Sequence, residues 1–314
     1  LKKIMLAVFF LLSGCSPAAF EPVQSNTFAA VLTLQEPGLT FVNERGKVLA
    51  EWALDELYTG GLLFNETILL YGAELDHAVL YSVKTGKELG KWPVPLGVTG
   101  AAFINETKEV AFSVKKDGTV HFFNSRGRET AKVKTGSYPQ TMLEYKEKLY
   151  VINYQDTVLS EIEVHSHQVD RTFAIPTSSA GLAVNTAKEE IWVGGHGYGA
   201  EAGETIHVYS LRTGSLTATV DAPVMPTAFA EKDGYVYAAS HGSNNLYAFN
   251  SERKNTAKTE APANPFSVAV LGDCIVSAGY DSGTISFYKK RTLEKTKTID
   301  IGKGPFMIFV KEGE

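Results

Sequence analysis

Tyr138-Pro139-Gln140-Thr141-Met142-Leu143 opens the stretch whose reading decides the fold. The chain then rises through Leu149-Tyr150-Val151-Ile152-Asn153-Tyr154 and breaks at Gln155-Asp156. It resumes as Thr157-Val158-Leu159-Ser160-Glu161-Ile162 and ends in a last β-type run from Val169 to Ile175. Four short runs of β-branched and aromatic residues in about forty residues match the size and content of one β-propeller blade.

Working outward, the same unit recurs along the chain. The apolar residue three positions past each inter-blade Gly, Ser or Pro is Leu63, Phe103, Met142, Leu182, Phe229, Val268 and Ile308. Successive spacings are 40, 39, 40, 47, 39 and 40 residues, a fixed period of the solenoid or propeller kind. The ends decide for a ring. Gly304 to Val310 is a first strand with no blade after it, whereas Phe28–Gln35, Gly38–Asn43 and Val48–Leu54 form a unit that lacks a first strand. Pairing the two removes both open sheet edges, so the expected fold is all-β, a seven-bladed propeller over 28–310 followed by a tail at 311–314. Asn43 to Gly46, Lys84 to Gly86, Ser125 to Gly127 and Arg212 to Gly214 supply the tight turns between third and fourth strands. Asn65-Glu66-Thr67 and Asn105-Glu106-Thr107 match a glycosylation pattern, but they recur at one blade position and read as turn chemistry.

The N-terminus reads as an address. Lys2-Lys3 precedes nine apolar residues, Ile4 to Leu12, too few for a bilayer that needs about 20, so 1–14 reads as an export signal. Leu12-Ser13-Gly14-Cys15 resembles the lipobox of bacterial lipoproteins. That resemblance implies cleavage before Cys15, a diacylglyceryl group on its sulfur, and a lipid anchor on the extracytoplasmic face of the cell membrane. Residues 15–27 then read as the lipidated Cys and a polar tether. Cys274 is the other thiol and sits in an apolar run, so it reads as a small buried hydrophobe. The formal charge of −5, more negative once Lys2 and Lys3 are removed, argues against a nucleic-acid partner.

Leu149-Tyr150-Val151-Ile152-Asn153 with Asp156-Thr157-Val158, and more faintly Val236-Tyr237-Ala238-Ala239-Ser240 with Asn244-Asn245-Leu246, resemble the repeat of YVTN (YncE-like) seven-bladed propellers. The family's Asn is kept at Asn153 and replaced at Gly195, Ser240 and Gly279. The WD40 pattern fits less well, because there is no Trp-Asp dipeptide and Gly195-His196 is the one Gly-His. The resemblance implies the fold and leaves activity open, since propellers host many.

Loops from second to third strands, and from blade to blade, emerge on one face around the channel mouth. There blades 3 to 7 present Lys115, Tyr154, His196, His241 and Tyr280, with Ala73 in blade 2 and with Asp156 and Asp281 just beyond. Blade 5 carries a Gly-rich insertion, Gly194 to Glu204, including Tyr198, placed to act as a flap. Tyr154, His196, Tyr198, His241, Tyr280, Asp156 and Asp281 are therefore the candidate ligand contacts, for a polar ligand, sugar or peptide. The plainer reading makes them caps on strand ends. The histidines occupy different blade positions, so neither metal nor cofactor is expected, and no catalytic motif such as H-E-x-x-H or G-x-S-x-G is present.

On the opposite face, third-to-fourth-strand turns carry twelve basic residues, from Arg45 to Arg291, which read by default as solvated hairpin turns and in the sharper reading as contacts for anionic headgroups. The expectation is a monomeric, lipid-anchored, non-enzymatic binding or scaffold propeller holding a protein, peptide or glycan partner at the cell envelope. The competing class is a propeller hydrolase, lactonase or quinone-cofactor dehydrogenase, for which His196, Glu201 and His241 are the candidate trio.

Overall fold

The computed structural model describes residues 19–313, so the expected signal sequence and Cys15 lie outside the described residues. Seven four-stranded antiparallel sheets make the seven expected blades. Their inner strands are Pro305–Lys311, Gly60–Phe64, Val98–Ile104, Pro139–Tyr145, Ser179–Asn185, Pro226–Lys232 and Pro265–Leu271, each beside the next around a central channel. Closure occurs as the ends predicted: Pro305–Lys311 pairs with Phe28–Thr33, placing Ile308 opposite Val31. No helix among the described residues is long and apolar enough to cross a membrane.

The core is seven clusters, each between two adjacent blades and the last joining blade 7 to blade 1. This explains the strand composition. Middle strands such as Glu109–Val114 and Lys148–Asn153 are covered on both faces and read as apolar runs. Outer strands face a neighbour on one side only, so they alternate and bury little beyond Trp52, Trp92, Val133, Phe173 or Val220. Third-to-fourth-strand turns are locked by side chains: Asn43, Asn124 and Asn250 each accept two backbone N–H bonds through Oδ1.

Two expectations change. Within the described part of the polar tether, Phe20 to Gln24 is docked onto blades 1 and 2. Phe20 stacks on Trp52 at 4.9 Å between ring centroids, Val23 is buried, and the Trp52 indole N–H donates to the Glu21 carbonyl at 2.9 Å. The amides of Phe20 and Val23 donate to the Gly86 and Val83 carbonyls, and the Phe20 carbonyl lies so near Gly86 that a Cβ there would overlap it. Cys274, in turn, is half-buried rather than buried, because it ends a hairpin turn at the rim of the core between blades 7 and 1. Burial pushes its thiol up to about 11, with Glu44 adding to the shift.

Candidate functional site

The mouth is built from one backbone device used six times. Immediately before the inner strand, Gly97, Tyr138, Ser178, Met225, Asn264 and Gly304 all take positive φ. The carbonyl of each accepts a hydrogen bond from the first residue after the second strand: Lys115, Tyr154, His196, His241, Tyr280 and Leu34 respectively. In the same six blades a β-bulge follows at the start of the inner strand. A bulge re-aims the extra residue, and here that residue includes Phe266 and Phe306. Blade 2 lacks both features; the Ala73 amide there bonds to Thr59 Oγ1 instead.

This device brings Tyr154, His196, His241 and Tyr280 together and adds three rings that loop counting missed. A continuous arc runs Tyr138–Tyr154–His196–His241–Phe266, with centroid separations of 5.7, 5.8, 5.0 and 5.1 Å. Phe266 then meets Tyr280 at 5.8 Å and Phe306 at 5.4 Å. A visible signal existed for two of the three: the dipeptide Pro-Phe recurs at 265–266 and 305–306.

Both ends of the arc, Tyr138 and Phe306, also line a cavity of about 470 Å³ whose remaining wall comes from blades 1 to 4, including Ala73. Lys115 is its one charged lining residue. Lys115 as a whole is half-buried, and its ammonium makes no ion pair or hydrogen bond among the described residues.

Three polar atoms at this end of blades 5 and 6 are buried without a partner among the described residues: His196 Nδ1, Thr227 Oγ1 and His241 Nε2. His241 Nδ1 lies 3.2 Å from Asn264 Oδ1, an acceptor, so Nδ1 is the donor in that pair. Burial, followed by the charge of His241, pushes the His196 imidazole below its ordinary range, against a smaller opposing contact with the Ser178 carbonyl. Orphaned polar atoms of this kind cost free energy and call for an explanation.

The other candidates stand apart. Tyr198 is 75% exposed on the short hairpin Gly197–Tyr198/Glu201–Ala202, which accounts for the long spacing in blade 5. It lines a separate cavity of about 210 Å³ with Pro176, Val193 and His207. The hairpin is fixed at its base, the Gly203 amide donating to the His196 carbonyl at 2.8 Å. The Asp156 carboxylate is occupied as a turn cap, accepting from the Thr157 amide at 2.8 Å and the Ser137 amide at 3.4 Å. Asp281 is exposed on the rim. Among the described residues, three ligand-type side chains come within 4.8 Å of one another at Glu106, Glu147 and His165. Glu201 therefore does not complete a cluster with His196 and His241. Asn153 is structural: its Nδ2 donates to the Val158 carbonyl and Ser160 Oγ, tying two strands of blade 4.

No protein-family model matches the chain, and no curated protein matches it. Solved structures do. A functionally unknown protein from Desulfotomaculum acetoxidans aligns with a TM-score of 0.76 at 7% identity, over 91% of this chain and 99% of that one. Hydrazine synthase from Kuenenia stuttgartiensis aligns at 0.71 and 13% identity, over 90% and 99%. Apo AztD from Citrobacter koseri aligns at 0.64 and 10% identity, over 92% and 99%. At these identities the likeness is one of fold, the seven-bladed β-propeller.

Proposed function

We propose that the protein is a membrane-anchored, non-enzymatic binding propeller that holds a protein, peptide or glycan partner at the cell envelope, gripped at the channel mouth. The observation that carries this reading is the aromatic arc with its orphaned imidazole nitrogens. Stacked faces suit sugar rings and planar side chains, and unpartnered buried donors and acceptors gain most when a ligand completes them. The uncompensated Lys115 favours a partner that brings a carboxylate or another anion. Anchoring through Cys15 rests on the lipobox resemblance.

Binding of the purified chain to arrays of envelope glycans and peptides, followed by titration of the strongest binder, tests the site. Phe266→Ala and Tyr154→Ala should each cost about 2 kcal/mol, roughly thirtyfold in Kd, with the fold intact. Unchanged affinity in both variants would overturn the assignment. Cys15→Ser should move the protein out of the membrane fraction; retention there would overturn the anchor.

A further inference from the structure

The docked segment and the anchor together define an orientation. Phe20 to Gln24 enters the fold alongside the third-to-fourth-strand turn of blade 2: Phe20 bonds to Gly86, Val23 to Val83, and Gln24 Nε2 to the Lys84 carbonyl. That turn lies on the face opposite the mouth. Four residues lie between Cys15 and Phe20, and the five steps from one Cα to the other reach about 18 Å at most when fully extended. A tether free as far as Thr27 would give the disk a leash about twice as long or more; the docked one holds this face near the anchor.

The charge on this face agrees. Of the twelve basic residues expected there, Lys84, Arg253, Lys254, Lys289 and Lys290 are paired with acidic neighbours, and Arg291 lies over the Tyr235 ring. Five of those that remain, Arg45, Lys47, Lys87, Arg126 and Arg128, are exposed and lack ion pairs among the described residues. They occupy the turns of blades 1, 2 and 3, the first two of which hold the docked segment, and the exposed Glu44 shares the blade 1 turn with two of them. A cationic crescent beside a short lipid leash is suited to anionic headgroups.

We infer that the turn face of blades 1 to 3 is a membrane-docking surface, which holds the propeller with its mouth directed away from the bilayer. The inference rests on anchoring through Cys15. The test uses the lipidated full chain in vesicles of phosphatidylethanolamine and phosphatidylglycerol carrying a headgroup quencher. Single fluorophores are placed by Thr85→Cys on the turn face or Asp281→Cys on the mouth face, in a Cys274→Ser background. The Thr85 site should be quenched several-fold more than the Asp281 site. A Phe20→Asp/Val23→Asp variant, which frees the segment, should keep the propeller's circular dichroism and lose most of the difference. Equal quenching of both sites on bound protein overturns the orientation while leaving the anchor standing. Wild-type chain that floats free of the vesicles overturns the anchor and the orientation with it.

Discussion

Phe309→Ala tests whether the ring is held by its closing strand. Phe309 lies opposite Ala30 in the closure pairing, is 7% exposed, and belongs to the cluster between blades 1 and 2. The far end of its ring reaches Gly61, where a Cβ would stand 3.0 Å from Cζ. Truncation therefore leaves a void that glycine cannot fill, and buried Phe→Ala changes of this kind cost about 3–5 kcal/mol. Set against a net stability of about 5–15 kcal/mol, that is a large fraction. At about 2–4 °C per kcal/mol the melting temperature should fall by about 10 °C. Thermal unfolding followed by tryptophan fluorescence is a suitable assay, since Trp52 shares the cluster. Phe306→Ala is the control: it sits on the same strand but belongs to the mouth arc, so it should change stability by about 1 kcal/mol or less. If the two variants melt together, or if Phe309→Ala stays within about 2 °C of the parent, closure contributes little and the reasoning fails.

Four further outcomes are expected. Arg253 pairs through Nε and Nη2 with the buried Glu190 and ties blade 6 to blade 5; Arg253→Ala should cost about 1–2 kcal/mol, discounted for the partly exposed guanidinium, and Glu190→Gln in the same background should recover part of it in urea titrations. Burial pushes the Glu109 carboxyl up, but hydrogen bonds from Thr130, His167 and Thr107 outweigh it and hold the group low. Its stabilisation is then full above the unfolded value, 4.5, and is lost as pH falls through the folded one. His196, held low, instead erodes stability from about pH 6.5 downward, because the unfolded chain takes up the proton first. A His196→Gln variant should flatten the upper part of the melting-temperature profile, and an unaltered slope would refute this. With its pKa pushed up to about 11, Cys274 should react with iodoacetamide at pH 8 about a hundredfold more slowly than a free thiol.

The period, the seven blades and the closure were legible because each blade repeats the same alternation and the ends complement each other. Tyr154, His196, His241 and Tyr280 were legible as a set because they share one register position. Phe266 and Phe306 were not, because the bulge at the start of the inner strand redirects them toward the mouth and alternation places them elsewhere. Tyr138 depends on a left-handed residue that leaves no apolar pattern. The docking of Phe20 and Val23 was hidden for a similar reason: two apolar residues in a polar stretch carry no periodicity, yet Trp52 and Gly86 give them a place.

The carbonyls of the six left-handed residues have a thermodynamic consequence. Each pins the amide of a mouth residue, so Leu34, Lys115, Tyr154, His196, His241 and Tyr280 have their backbones set before any partner arrives. Little chain entropy remains to be surrendered on binding there, and those amides should resist hydrogen exchange to nearly the same degree in the free and occupied protein. In blade 2 a rotatable hydroxyl, that of Thr59, holds the Ala73 amide in place of a backbone carbonyl, so if the mouth takes a partner, newly slowed exchange should register there first.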